Sequence, residues 1–125
     1  DQMGYVYYGQ YLTYLEVART EWIRALGMPY RSLERDHGTM LPVREVNIKY
    51  RRPLRYDEEL LLKTRVTDWP TKSIRFDTQI WNEGNELTTQ AWVELVFVDT
   101  QTMRPCRAPD PFLELITRSW NLANG

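Results

Sequence analysis

The feature that most constrains this chain is one long stretch of helical periodicity near its start, followed mainly by segments of strand periodicity. From Gly9 to Leu26, large apolar side chains recur every three or four residues, which is typical of a helix with one broad apolar face. Gly27 and Pro29 follow, and residues of these types end a helix and prevent its continuation. The apolar face comprises Tyr11, Leu15, Ala18, Trp22 and Leu26, widened by Tyr14, Val17 and Ala25. Such a face predicts a sheet for the helix to lie on.

Four later segments alternate apolar and polar residues, as half-buried strands do. They span residues 42–54, 59–69, 72–81 and 87–99. Residues 82–86, NEGNE, join the last two segments and indicate a hairpin, because glycine and asparagine tolerate positive φ. Inward-facing positions are Val46, Ile48, Tyr50, Leu60, Leu62, Val66, Ile74, Phe76, Ile80, Leu87, Thr89, Ala91, Val93, Leu95 and Phe97. A short helix from Phe112 to Trp120 follows two prolines, and the polar stretch around His37 carries no predicted element.

This order predicts an α+β fold, with short turns joining four strands of an antiparallel sheet and the long helix on one face. The 125 residues are expected to form a single domain, residues 1–125. One broad helix covers only part of such a sheet, so we expect an uncovered edge to meet a second subunit. Five Trp, eight Tyr and three Phe supply large amphipathic surface for that contact.

Composition excludes several classes of protein. Sixteen basic and seventeen acidic side chains leave a formal net charge of -1, which gives no argument for nucleic acid or an anionic membrane as partner. No apolar run approaches the roughly 20 residues that span a bilayer. Cys106 is the only cysteine, so a reduced, cytoplasmic setting is expected. No Cys/His pair or tight carboxylate cluster predicts a metal site.

Two groups of residues carry a resemblance to a known family. The first comprises Asp1, Gly4, Val6, Tyr8 and Tyr11, continued along the helix by Glu16, Ala18, Arg19 and Glu21. The second is residues 50–60, YRRPLRYDEEL, with Asp57 ahead of a hydrophobic strand. With these residues the chain resembles the 4-hydroxybenzoyl-CoA thioesterase-like family, which includes the Tol-Pal-associated acyl-CoA thioesterases. The resemblance implies a hotdog fold, a curled antiparallel sheet wrapped around a long central helix. The family's first strand precedes the aspartate, so the resemblance implies that this strand is missing here.

The resemblance also implies an activity, the hydrolysis of an acyl or aroyl thioester of coenzyme A to free acid and CoA. It assigns Asp1 as the catalytic carboxylate, acting either as a base on water or as the nucleophile. The helix-entry residues Tyr8 and Gly9 are expected to donate backbone N–H groups to the carbonyl oxygen. Gly4 is expected to turn the backbone beside the substrate. Position 8 is histidine in Tol-Pal-type members, and the tyrosine here bears on substrate preference.

Substrate contacts follow from the same resemblance. Tyr11, with the other tyrosines of the helix entry, is expected to line a slot for an aryl or medium-length acyl group. Lys72, Ser73 and Arg75 are expected to contact the nucleotide of coenzyme A, and Arg51, Arg52 and Arg55 form a second candidate cluster. Solvated surface charge is the alternative interpretation of both clusters. The family implies a homodimer, or a tetramer of dimers, and no metal or redox cofactor.

Two other functions remain open at this point. The chain is either a thioesterase for coenzyme A substrates, a thioesterase acting on acyl carrier protein, or a non-catalytic protein that binds an acyl ligand in the same groove. Hydratases and dehydratases of the same fold class are excluded, because they need a histidine close to the catalytic aspartate and His37 is the only histidine.

Overall fold

The computed structural model describes the backbone of residues 4–124 and the side chains of residues 4–120. The helices are α1 (Tyr8–Ala25), α2 (Tyr30–His37) and α3 (Asp110–Asn124). The strands are β1 (Thr39–Met40), β2 (Val43–Tyr50), β3 (Leu61–Arg65), β4 (Ser73–Trp81), β5 (Leu87–Val96) and β6 (Val98–Asp99). None of the described helices is long and apolar enough to cross a membrane.

The main sheet has four antiparallel strands in the order β2-β5-β4-β3. Strands β3, β4 and β5 are neighbours along the chain, whereas β2 lies on the far side of β5. The chain therefore crosses from one edge of the sheet to the other between β2 and β3. The prediction that short turns join all four strands is wrong at this connection. A separate two-stranded sheet pairs β1 with β6.

Helix α1 packs over β3 and β4 and buries the inner face of the sheet. Leu15 and Ile23 lie in the core with Phe76 and Val93. The predicted stripe is correct at its start, but Ile23 is the residue fully buried near its end. Trp22 is only partly buried and packs edge-on against Phe76, with 5.4 Å between ring centroids. Val17 and Ala25, assigned to the stripe from the sequence, are exposed.

The predicted elements differ from the observed ones mainly where burial is small. Helix α2 was not predicted, because Leu33 is the only buried residue in its polar sequence YRSLERDH. Gly38 ends this helix in the left-handed region, with φ +58°, and its N–H donates to the carbonyl of Glu34 at 3.1 Å. Strand β3 is shorter than the segment 59–69, and α3 is longer than Phe112 to Trp120.

Strand β2 is one of the two edges of the described sheet, and most of its residues are exposed. Val46, Ile48 and Tyr50 pair with inward-facing β5 positions, as the alternation predicted. They are nonetheless exposed or only half-buried, since α1 lies over the opposite half of the sheet. Val43 adds a further exposed apolar side chain at the start of the strand. Within residues 4–124, therefore, an apolar strip runs along a strand that pairs on one side only.

We expect Gly38→Ala to lower the free energy of unfolding by about 1 kcal/mol, because an L-residue is strained at positive φ. Steric overlap does not contribute to this loss, since the nearest atom to an added Cβ is Thr100 Oγ1 at 3.6 Å, an ordinary van der Waals distance. The matched control is Gly84→Ala in the β4–β5 hairpin, where φ lies outside the strained range. Urea denaturation of both variants checks the prediction, and equal midpoints would contradict it.

Candidate active site

The start of α1 is fixed to the segment that follows β2. The N–H of Val6 donates to the carbonyl of Leu54 at 2.8 Å, and the N–H of Tyr56 donates to the carbonyl of Gly4 at 2.9 Å. Between them, Tyr5 and Arg55 form an antiparallel bridge. Gly4 has φ +78°, a conformation that glycine adopts without strain. These contacts hold the helix entry against the end of the sheet.

The first amides of α1 have no capping side chain. Tyr7 is the N-cap and makes no side-chain cap hydrogen bond, and the first turn contains no acidic residue. The N–H of Gln10 donates to the carbonyl of Tyr7 at 2.9 Å. No hydrogen bond joins the N–H groups of Tyr8 and Gly9 to any described residue. Two donors at the positive end of the helix dipole are thus available to an anionic or carbonyl oxygen.

Tyrosine rings surround this helix start. The ring of Tyr50, from the end of β2, lies 4.9 Å from that of Tyr8 and 4.8 Å from that of Tyr11, measured between centroids. A cavity of about 470 Å³ opens here. Its lining residues are Tyr5, Val6, Tyr7, Tyr8, Tyr11, Tyr50, Arg51, Arg52 and Pro53. The volume is in the range of small-molecule sites, and its aromatic walls suit a flat or apolar group.

Tyr11 is the structural centre of this cluster. Only 2% of its surface is exposed, and it packs with Val6, Leu54 and Ile80 in a small core of its own. Burial raises the pKa of the Tyr11 phenol, while a hydrogen bond with the backbone of Leu54 opposes that shift. The hydroxyl is therefore protonated at neutral pH. Tyr8, by contrast, is 69% exposed and presents its ring to the cavity.

The arginines near the cavity differ in their partners. Arg52 forms an ion pair with Glu86 at 3.2 Å. Arg55 lies over the ring of Tyr5, with its Cζ atom 5.0 Å from the ring centroid. Arg51 donates from Nε to Oε1 of Gln90 at 2.7 Å. Among the described residues, Arg51 has no carboxylate within salt-bridge distance.

The family's sequence pattern is present along most of the chain, since the Thioesterase-like superfamily matches residues 1–116. This chain belongs to that superfamily. A relative, the putative acyl-CoA thioesterase YneP of Bacillus subtilis (strain 168), is 35% identical over 105 residues, 84% of this chain and 75% of that protein. The acyl-CoA thioester hydrolase YbgC of Escherichia coli O6:H1 is 32% identical over 109 residues, 87% of this chain and 81% of that protein.

A solved structure in the same superfamily, a DHNA-CoA thioesterase from Staphylococcus aureus, superimposes with a TM-score of 0.89. The two are 31% identical, and the match covers 99% of this chain and 85% of the other. The resemblance to hotdog acyl-CoA thioesterases is therefore confirmed, and so is the α+β hotdog fold. Across the described strands the sheet is open, with β2 and β3 at its edges.

The superfamily residues expected at the site fall into three groups. Asp1 lies outside the described residues. Gly4, Tyr8, Gly9 and Tyr11 are brought together at the helix entry. Lys72, Ser73 and Arg75 lie at the other end of β4. Tyr50, beside the helix entry, pairs with Thr89, and Thr89 pairs on its other side with Ile80. Ser73 is seven positions before Ile80 on the same strand. At about 3.3 Å per residue, that separation is about 23 Å along the strand.

Arg75 is also already engaged on this chain. Its Nη2 donates to Asp77 Oδ1 at 3.1 Å, and its Cζ lies 4.6 Å from the ring centroid of Trp92. One copy of the chain therefore does not bring the predicted nucleotide contacts to the helix entry. Their role in binding coenzyme A stays a prediction that requires a second subunit.

Sequence reasoning did not assign Tyr50 to the site, although it placed this residue in the second family motif. Its position at the end of β2, two strands away from the helix-covered part of the sheet, depends on the β2–β5 pairing. A strand order of that kind is not encoded in local periodicity. The only available signal was that Tyr50 directly precedes the arginine pair and a proline.

Other reactive side chains give no competing site. Burial, with the charge of Asp99 as a smaller cause, raises the pKa of the Cys106 thiol, which disfavours the nucleophilic thiolate. Across residues 4–120, no group of three or more His, Cys, Asp or Glu side chains is placed to hold a metal ion.

Tyr11→Ala is expected to destabilise the protein by about 3 to 5 kcal/mol, the usual cost of removing a buried aromatic ring. Tyr11→Phe keeps the ring and loses the hydroxyl contact with Leu54, so we expect it to lower the free energy of unfolding by about 1 kcal/mol. Tyr7→Ala is the control, since Tyr7 is 67% exposed, and a surface change of this kind costs within about 0.5 kcal/mol. Thermal unfolding measures all three. A loss for Tyr7→Ala as large as that for Tyr11→Ala would contradict the assignment.

Proposed function

We propose that this protein is an acyl-CoA thioesterase, which hydrolyses an acyl or aroyl thioester of coenzyme A to free acid and CoA. The names of the related proteins support this activity. The observation that carries it is a pair of amides at the start of α1, beside a tyrosine-lined cavity, that have no hydrogen-bond partner among the described residues. Hydrolysis of a thioester needs such donors, because negative charge develops on its carbonyl oxygen.

In this proposal, the backbone N–H groups of Tyr8 and Gly9 form the oxyanion hole. Both sit at the positive end of the α1 dipole, and the first turn of the helix contains no acidic residue. One well-directed donor contributes about 3 to 4 kcal/mol to transition-state stabilisation. The backbone hydrogen bonds between residues 4–6 and residues 54–56 support the role of these amides as an oxyanion hole, since they fix the orientation of the helix entry before substrate binds.

Asp1 supplies the catalytic carboxylate. The support is its place in the sequence, three residues ahead of Gly4 and seven ahead of Tyr8, in the pattern that resembles the family. As a base it would take a proton from the water that attacks the carbonyl carbon and displaces the thiolate of CoA. As a nucleophile it would displace that thiolate itself, forming an anhydride that water then hydrolyses. Both routes end in the same products.

The acyl group occupies the cavity lined by Tyr8, Tyr11 and Tyr50. Ring faces and edges at centroid distances of 4.8 to 6.5 Å favour a flat aryl group or a medium-length chain. Gly4 lets the backbone turn next to this group. Coenzyme A is the carrier that the related proteins suggest, and acyl carrier protein is the alternative.

The active form is a homodimer, or a tetramer built from dimers, in the cytoplasm. Strand β2 supports the dimer, since it is an edge with exposed Val43, Val46 and Tyr50. Pairing with a second copy would cover that strip and satisfy the free side of the strand. Because Tyr50 belongs both to β2 and to the cavity, such a dimer interface would adjoin the active site.

Asp1→Asn is expected to lower kcat/KM by about 10² to 10⁴, the usual contribution of positioned general-base catalysis. The control is Asp68→Asn, which removes an exposed carboxylate between β3 and β4. Thiol release is measured with benzoyl-CoA, hydroxybenzoyl-CoA, straight-chain acyl-CoAs and the matching carrier-protein thioesters. If wild type and Asp1→Asn release thiol equally slowly from every substrate, the protein is a non-catalytic acyl-binding protein.

Val46→Asp is expected to convert the dimer to monomers, because it places a charge on the exposed strip of β2. Hydrolysis should fall with the dimer, since Tyr50 shares that strand. Met103→Asp is the control at a remote position that is 64% exposed. Sedimentation velocity gives the mass of each variant. A wild-type protein that sediments as a monomer, or a Val46→Asp variant that stays dimeric, would rule out this interface.

A further inference from the structure

A row of polar side chains crosses the face of the sheet opposite α1. Lys63 pairs with Gln79, Gln79 with Gln90, and Gln90 with Lys49, so the four residues run directly across all four strands. Residues opposite one another in antiparallel strands project from the same face. At about 4.8 Å between strands, the row is about 14 Å long. We call these four residues, with Arg51, the donor row.

The two glutamines of the row present their amide donors. Oε1 of Gln90 accepts from Nε of Arg51 at 2.7 Å. Oε1 of Gln79 accepts from Nε1 of Trp81 at 3.2 Å. The printed bonds orient each amide through its oxygen, and the NH2 groups of both glutamines have no partner among the described residues. The lysines and the arginine carry donors only, so the donor row favours a ligand that only accepts hydrogen bonds.

The positive charge of the donor row is not neutralised within the described residues. No salt bridge there involves Lys49, Arg51 or Lys63. Lys63 is held over the ring of Trp81, with Nζ 4.9 Å from the centroid. The carboxylate of Asp77, in the adjacent row, is bound by Arg75. A chain with a net charge of -1 thus concentrates free cations on one surface.

Arg51 connects this surface to the proposed active site. It follows Tyr50 at the end of β2 and lines the tyrosine cavity. Through Gln90 it reaches a second, smaller cavity of about 270 Å³, which Gln79 and Lys63 also line. A ligand with its reactive end at the helix entry can therefore place a charged tail along the donor row.

We propose that the donor row binds the phosphate groups of the nucleotide end of coenzyme A; the inference rests on the proposed function. Phosphate oxygens only accept hydrogen bonds, and they form strong charge-assisted bonds with guanidinium and ammonium groups. The nucleotide carries two separate phosphate sites, a 3′-phosphate and a 5′-diphosphate. In this proposal Lys49 and Arg51 contact one of these sites, and the flexible side chain of Lys63 reaches the other.

An acidic carrier protein is the competing occupant of a cationic surface. The row is a single line of side chains about 14 Å long. A stable contact between two proteins buries about 1,000 Å² or more, which needs a much broader surface than this row. The bonded amides of Gln79 and Gln90 also form a local, defined donor pattern. Both observations favour a small phosphorylated group.

The test is the binding of adenosine 3′,5′-bisphosphate, measured by isothermal titration calorimetry on the full protein. We expect Arg51→Gln to weaken binding about 10-fold, the effect of losing one charge-assisted hydrogen bond. The double variant Lys49→Gln/Lys63→Gln should weaken it at least as much. Arg118→Gln is the control, since it removes an exposed guanidinium of α3 that has no salt bridge in the described chain. Arg75→Gln tests the rival site at the other end of β4.

Four results would overturn the inference: no binding by wild type, unchanged binding by Arg51→Gln and the double variant, an equal loss in Arg118→Gln, or a loss confined to Arg75→Gln. A loss seen only with carrier-protein thioesters would assign the surface to that protein instead. Hydrolysis of an acyl-N-acetylcysteamine, which lacks phosphates, separates the two proposals. If that substrate is cleaved but the bisphosphate is not bound, the thioesterase proposal stands and the donor row fails. If the bisphosphate is bound through Arg51 and no thioester is cleaved, the donor row stands as a phosphate site and the thioesterase proposal fails.

Discussion

The whole site depends on one short piece of backbone pairing. The hydrogen bonds between residues 4–6 and residues 54–56 fasten the entry of α1 to the chain leaving β2. Buried Val6, Tyr11, Leu54 and Ile80 pack directly behind them. Because of this contact, the first amides of the helix lie next to the ring of Tyr50, although 42 positions separate Tyr8 from Tyr50 in the sequence.

The chemistry that this arrangement supports comes largely from the backbone and from aromatic rings. The N–H groups of Tyr8 and Gly9, unpaired in the part of the chain that the structure describes, are donors whose charge does not vary with pH, and the tyrosines add apolar surface. Cationic side chains divide into two kinds. Arg52 and Arg75 are neutralised by neighbouring carboxylates, whereas Arg51 is held by the neutral Gln90 and keeps its charge available. This difference in partners separates structural cations from candidates for ligand binding.

Local patterns predicted the elements that bury a large apolar surface. The start of α1, the inward positions of β4 and β5, and the hairpin at residues 82–86 follow from periodicity and turn chemistry. Helix α2 was missed because one buried leucine gives no periodic signal. The place of β2 beside β5 was also beyond the sequence, since it is set by a long crossover connection. That pairing brings Tyr50 and Arg51 to the site. The sequence therefore identified the motif residues but could not predict which residues lie beside them in space.

The central claim is that the amides of Tyr8 and Gly9 bind the carbonyl oxygen of the substrate. The most direct measurement is the nuclear magnetic resonance titration of 15N-labelled protein with a ketone analogue of acyl-CoA, in which a methylene group replaces the thioester sulfur. The account predicts saturable downfield shifts of these two amide protons, with the Gly84 amide in the β4–β5 hairpin unchanged. If the analogue binds and the Tyr8 and Gly9 resonances do not move, the oxygen is bound elsewhere and the account is wrong.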